Sequence, residues 1–459
     1  MFVESRSFAE RLIAPLKNGL SSVYIHHSAV SADDRRTAEE SFGKNAGTCV
    51  ICTSTMELGI DIGELDLVVQ YGAPLSVSSF LQRLGRTGRR GKPASMTFVL
   101  KNACELMIAV SVIESAARHE SEPLCAPAVP YHVLVQQLFL LLRGKTGLGN
   151  RQILHALLSL SPFSDISPET AGEVLSFLLQ NGYLTKTGDL YQVGPRAEAE
   201  LGRSNWRSLL SVIHDTGGYT AVLPDGTVIG TLDARFVAGD PGKTFTFTGK
   251  TWRLLFRDDA HKRALIEPSS ASKGLKRPFW SGDGSAAAAT RTVCMSAAQL
   301  IARGETALPL LPEQKELLDD LLASLPDDII PGKIHIRTEP ETEGWSVVVS
   351  TFFGERANSV LARLIRNRLP PGHTVRHTQF AVRIFEWDSG NAGEQVRRVL
   401  EEIADADFSA LADELPALPE TAWKFGNLLP EHLQKEMAVT DYYHLPELTG
   451  LLAWLRLHR

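Results

Sequence analysis

Long apolar runs are missing from this chain. No stretch of about 18 consecutive apolar residues occurs, so no membrane-spanning helix is expected. The segment Met1-Phe2-Val3-Glu4-Ser5-Arg6 has no basic stretch leading into an apolar core, so no signal peptide is expected, and the expected location is the cytoplasm. Cysteine is scarce: five in 459 residues cannot make a disulfide framework. Cys49 and Cys52 form a CxxC inside Thr48-Cys49-Val50-Ile51-Cys52-Thr53, which reads as a strand. Residues three apart on a strand point to opposite faces, so the pair is not expected to share a metal or a bridge. A positive balance is missing too, with a formal net charge of −6. That does not exclude a nucleic-acid binder, because a local basic stripe is what meets phosphate. Finally, no glycine-rich loop of the form GxxxxGK[ST] occurs anywhere. Gly242-Lys243-Thr244 and Gly144-Lys145-Thr146 end like one but lack the leading glycine.

What the chain does have is Ser78-Ser79-Phe80-Leu81-Gln82-Arg83-Leu84-Gly85-Arg86-Thr87-Gly88-Arg89-Arg90. Arginine offers a planar fork of donors that never loses its charge. Arg86 and Arg89, three apart and each preceded by a glycine, suit a polyphosphate whose charge shifts as a bond breaks. By itself the stretch is also compatible with a solvated basic loop, or with a site that merely holds nucleic acid.

The length predicts about three domains. Residues 1–122 alternate strands and helices, with strands at Phe2-Val3, Val23–His27, Cys49–Thr53, Leu65–Gln70 and Met96–Leu100. This predicts a parallel, doubly wound sheet with ligands at the carboxyl ends of its strands. Phe2-Val3 starts the chain as a bare edge strand. Such an edge is normally covered, which gives the expectation of a further N-terminal segment.

Pro123, Pro127 and Pro130 mark a linker. Over 123–210 three helical patterns (Tyr131–Leu142, Asn150–Leu160, Ser167–Gln180) precede a hairpin around Gly188-Asp189, which predicts a winged helix. Short alternating strands punctuated by turns predict a small antiparallel barrel over 211–285. Trp252 and Trp280 sit beside Arg253 and Arg277 in it. A tryptophan so placed can stack a base, the competing reading being that each fills the core. Residues 286–459 read as an α+β and helical region.

The first domain resembles the second RecA-like domain of a superfamily 2 helicase. Phe2-Val3-Glu4-Ser5-Arg6 resembles motif IV, Thr53–Gly63 motif V and Gln82–Arg89 motif VI. Glu57-Leu58-Gly59-Ile60-Asp61-Ile62-Gly63 and Asp66–Pro74, with His26-His27, Ser31 and Arg35-Arg36, are similar to the Lhr group of large helicase-related proteins. The resemblance implies the winged helix and the barrel as well. Phe352–Asn358 is similar to the tail of that group's core.

The resemblance also implies roles. Arg89 would be the arginine finger, with Arg86 beside it on the γ-phosphate and Gln82 orienting phosphate or water. Gly59 and Asp61 would lie at the nucleotide cleft, with Asp61 accepting from the ribose. Ser5, Arg6 and Thr53 would hold the phosphates of the tracking strand. ATP with Mg2+ would be held mostly by an N-terminal RecA-like lobe, from a separate chain or from upstream sequence, since no phosphate loop or DExH box is present here. The expected whole is an ATP-dependent 3′-to-5′ translocase on single-stranded DNA that unwinds DNA or RNA:DNA duplexes in repair, and this chain alone should not hydrolyse ATP. The alternative is a non-catalytic single-strand-binding module or a helicase remnant.

Overall fold

The computed structural model describes residues 1–44, 47–58, 65–88, 91, 93–124, 126–201, 209–212, 218–238, 242–271, 275, 276, 278, 288–342, 344–388, 391–416, 423–445, 448 and 452. The chain divides into two compact units, 1–123 with 216–333 and 351–355, and 124–215 with 334–350 and 356–459.

The first stretch runs α1 (Arg6–Lys17), β1 (Ser22–His26), α2 (Ala32–Lys44), β2 (Thr48–Cys52), β3 (Val68–Tyr71), α3 (Val77–Leu84), β4 (Met96–Val99) and α4 (Ala103–Ala117). The pairs β1–β2 and β3–β4 are parallel. Phe2 joins them, bridging in parallel to Cys52 on one side and Gln70 on the other. The expectation of a bare N-terminal edge is therefore corrected, because the first residues are the centre of the sheet. Phe2 turns into one apolar cluster with Val50, Cys52 and Val68, and Val3 into another with Ile25 and Ile51. Cys49 packs on that second cluster, so the two cysteines of the CxxC face opposite sides. β3 starts three residues later than the apolar run, because the Leu65 amide donates instead to the Arg86 carbonyl (3.2 Å).

Next come α5 (Tyr131–Leu142), β5 (Leu148–Gly149), α6 (Asn150–Leu158), α7 (Pro168–Gln180), β6 (Leu184–Thr187), β7 (Leu190–Val193) and α8 (Pro195–Leu201). Three helices and a sheet in the order β5-β7-β6 make a winged helix. The Ser167 hydroxyl caps α7 by accepting from the Thr170 amide.

Then follow β8 (Tyr219–Val222), β9 (Val228–Leu232), α9 (Ala234–Val237), β10 (Thr244–Phe247), β11 (Lys250–Asp258) and β12 (Arg263–Pro268), a five-stranded sheet in the order β10-β11-β12-β8-β9. Its ladder is not antiparallel throughout: β12 and β8 run parallel, because the β8–β9 hairpin returns beside the last strand of the β10–β12 meander. β9 is also stitched to the first domain. Thr231 donates to the Ala29 carbonyl (2.7 Å) and Ser31 to that of Ile229 (3.1 Å). Gly230 at φ +157 permits the seam, since a Cβ there would collide with the Ala29 carbonyl.

The expected region 286–459 is divided. α10 (Arg291–Arg303) and α11 (Pro312–Ser324) pack on α4 in the first unit. The second unit takes β13 (His335–Pro340), β14 (Trp345–Ser350), most of α12 (Glu355–Arg368), β15 (Val375–His377), β16 (Ala381–Trp387), α13 (Ala392–Asp405), α14 (Phe408–Asp413) and α15 (Glu431–Met437). Its strands form an antiparallel sheet in the order β13-β14-β16-β15. Phe425, Leu428, Leu429, Leu433 and Met437 complete the core of the winged helix.

Candidate nucleotide and nucleic-acid site

Of the expected site residues, Ser5, Arg6 and Thr53 lie just beyond the carboxyl ends of the parallel strands. Thr53 follows β2, and its amide donates to the carbonyl of His26, the last residue of β1 (3.4 Å). The next turn is pinned by the His26 ring, with Nδ1 2.8 Å from Thr55 Oγ1 and Nε2 2.9 Å from Glu39 Oε1. Thr55 Oγ1 also donates to the His26 carbonyl. Ser5 caps α1 by accepting from the Phe8 amide (3.1 Å), so Ser5 and Arg6 stand at the amino end of a twelve-residue helix, whose dipole favours anions. The other histidine turns inward: His27 Nε2 meets Glu10 Oε1 (3.2 Å), which also accepts from the Thr248 amide of the β10–β11 turn (2.9 Å).

The arginine stretch forms α3 and the turn beyond it. Ser76 caps the helix, and the Glu122 carboxylate accepts from the amides of Val77 (2.8 Å) and Ser78 (2.9 Å), fixing the helix start. Glu122 also accepts from the Ser78 hydroxyl and from Thr290 Oγ1 (2.7 Å). Burial raises its pKa, and these bonds to the charged form outweigh that, so it lies below the ordinary carboxylate value.

At the other end of α3, Arg83 is buried. Its Nε donates to Glu57 Oε1 (2.8 Å), its Nη2 to the same oxygen and its Nη1 to Gln70 Oε1 (2.5 Å). The guanidinium carbon lies 5.0 Å from the centre of the Phe2 ring. Arg86 is buried as well, and its Nη2 donates to the Glu57 carbonyl. Glu57 therefore holds motif VI twice, by its carboxylate and by its main chain. The sequence signal was one acid among small and apolar residues between Met56 and Leu58. Beyond Arg86, Thr87 Oγ1 accepts from the Ser95 amide (2.9 Å) and closes the loop into β4. Gly88 at φ +73 allows that closure, with a Cβ there falling 2.6 Å from the Ala94 nitrogen.

Gln82 is half-buried on α3, while Leu81 beside it is 45% exposed and Leu58 is 66% exposed. Gly59, Asp61 and Arg89 lie outside the described residues, and so does Trp280. Trp252 is not a base platform. It is 3% exposed in the core of the small sheet, with Nε1 donating to the Phe247 carbonyl (2.8 Å). The winged helix offers no basic recognition helix either: α7 carries Glu169 and Glu173 and no lysine or arginine. Among the described residues no group of three His, Cys, Asp or Glu is arranged for a metal, and no helix is long and apolar enough to cross a membrane.

Two family models match, the helicase conserved C-terminal domain over residues 1–91 and the winged helix domain of large helicase-related protein over 114–275. The second match runs through the winged helix and on to the last strand of the small sheet. Among relatives, the Lhr helicase/uracil glycosylase of Escherichia coli is 27% identical over 384 residues, covering 76% of this chain and 24% of that protein. ATP-dependent helicase Lhr-Core protein 2 of Thermococcus barophilus is 29% identical over 286 residues, covering 60% of this chain and 33% of that one. The chain thus spans a third or less of each. Among solved structures, the Mycobacterium smegmatis helicase Lhr bound to ssDNA and AMP-PNP superposes with a TM-score of 0.60 at 18% identity, covering 99% of this chain and 60% of that one.

Proposed function

From a chain that belongs to the Lhr-type superfamily 2 helicases and corresponds to their second motor lobe, winged helix and following domains, we infer one half of an ATP-driven single-strand translocase. The observation that carries this reading is the Glu57 clamp, which binds the motif V turn to the motif VI arginines. Thr53 begins that turn and Arg86 ends the clamp, so a nucleic-acid contact and a nucleotide contact share one small rigid element.

In this reading Ser5, Arg6 and Thr53 hold backbone phosphates without reading sequence. Gln82, Arg86 and Arg89 face the γ-phosphate of ATP bound on an N-terminal RecA-like lobe, and Gly59 and Asp61 line the same cleft. ATP supplies the phosphoryl group, and Mg2+ the charge that steadies it. The absence of a phosphate loop from the sequence suits the receiving role, and the described arginines Arg83 and Arg86, buried on Glu57, anchor the turn that leads to Arg89. Exposed Leu58 and Leu81 suit a face that another lobe covers. The 219–268 sheet corresponds to the small barrel of the family. The whole motor would move 3′ to 5′ on DNA and unwind DNA or RNA:DNA duplexes, while this chain alone stays inactive.

The test combines the chain with a matching N-terminal lobe and measures ATPase with and without single-stranded DNA. DNA-stimulated turnover is expected, and Arg89→Ala should lower it by about 10³–10⁵. A formed complex without turnover, or an unchanged Arg89→Ala variant, overturns the reading.

A further inference from the structure

The sheet β13-β14-β16-β15 has two different faces. α13 packs across β13 and β14, with Gly393 against Ile336 and Thr338. Register places Val347, Val349, Val382 and Ile384 on that same side, and all four are buried. Directly paired residues share a face, so the opposite face is fixed as well. Across it Arg337 pairs with Val348, Val348 with Arg383, and Arg383 with Arg376, one row through all four strands. With strands about 4.8 Å apart, Arg337 and Arg376 stand roughly 14 Å apart at the ends of this row.

Phe385 lies two residues beyond Arg383 on β16, hence on the arginine side. The Arg376 and Arg383 guanidinium carbons both lie 5.4 Å from its ring centre. Arg383 is held in place: Nε donates to Ser346 Oγ (3.1 Å), and Nη2 to Glu339 Oε2 (2.7 Å) and Glu341 Oε1 (2.8 Å). Those two carboxylates offset part of the positive charge and fix the middle of the row. Arg376, on the edge strand, is exposed, and Phe385 is half-buried.

We propose that this face binds a short single-stranded stretch of nucleic acid, with phosphates on Arg337 and Arg376 and an unpaired base stacked on Phe385. An aromatic ring flanked by arginines on an open sheet gives a base a π-surface and its backbone a cationic rail. A duplex keeps its bases stacked on one another and gains nothing from Phe385, so the occupant is a single strand. Nothing in this depends on ATP.

The test uses the complete chain, a fluorescein-labelled oligothymidylate and anisotropy over a salt series without nucleotide. Arg376→Glu should weaken binding about tenfold and lower the salt slope by about one. Phe385→Ala should weaken it about tenfold with little change in slope, circular dichroism checking that the variant folds. Independently of that variant, 5-iodouracil in the oligonucleotide should crosslink to the peptide containing Phe385. Wild-type affinity in Arg376→Glu, or crosslinks confined to residues 1–123, overturns the proposal. So does polyglutamate binding as tightly as oligothymidylate, which would mark the face as a protein-docking surface. Loss of ATPase coupling in the assembled motor tests the preceding section alone and leaves these measurements unaffected.

Discussion

The Glu57 carboxylate and the Arg83 guanidinium form a buried ion pair, with two N–H groups of the arginine aimed at one oxygen. Removing either partner strands a charge away from water. Glu57→Ala or Arg83→Ala should therefore cost about 3–5 kcal/mol, read as a shifted urea midpoint. Arg83→Lys should not rescue, since an ammonium group cannot reach Glu57 and Gln70 in the same fork geometry.

Glu122 makes stability depend on pH. Its pKa is below the ordinary 4.5 because bonds from Ser78, Thr290 and Val77 outweigh the effect of its burial. A lowered carboxylate pKa contributes stability above the unfolded value, and that contribution fades as pH falls through the folded one. Glu122→Gln should cost about 1 kcal/mol at neutral pH, a half-exposed group being discounted for solvent. The gap between wild type and variant should shrink below about pH 4.5 in thermal melts.

Trp252→Ala should destabilise the small sheet by about 3–5 kcal/mol, as expected for a large buried aromatic. Trp252→Phe keeps most of the packing and loses the bond to Phe247. It should bind oligothymidylate like wild type in an anisotropy titration, because the ring does not reach solvent.

Gly230→Ala places a methyl group against the Ala29 carbonyl at a backbone angle that side chains rarely adopt. A cost of about 1–3 kcal/mol is expected. Amide exchange should quicken first at Ser31 and Thr231, whose bonds form the seam.

Much of this was legible beforehand. The opposed cysteines and the three helices of the winged helix follow from local chemistry. What escaped depends on neighbours distant in sequence. On β11 Trp252 shares a face with Leu254, opposite Arg253. Which side was core was set by Phe245 and Phe247 of the paired strand. The parallel β8–β12 pair joins residues more than 40 apart in sequence, and no local pattern announces such a register. Glu57 stood in plain view inside motif V, but its importance appears only once Arg83 and Arg86 converge on it. Gly59, Asp61 and Arg89 lie outside the described residues, and their proposed roles rest on the resemblance alone.

Phe2 also bears on how the first domain is made. Among the described residues it supplies the backbone link between two strand pairs that form no ladder with each other, β1–β2 on one side and β3–β4 on the other. Its partners Cys52 and Gln70 lie about 50 and 70 residues along the chain, so this short segment closes the sheet only through contacts distant in sequence. For the same reason a protease acting just before Glu4 would not trim an end. It would pull the middle plank from the sheet.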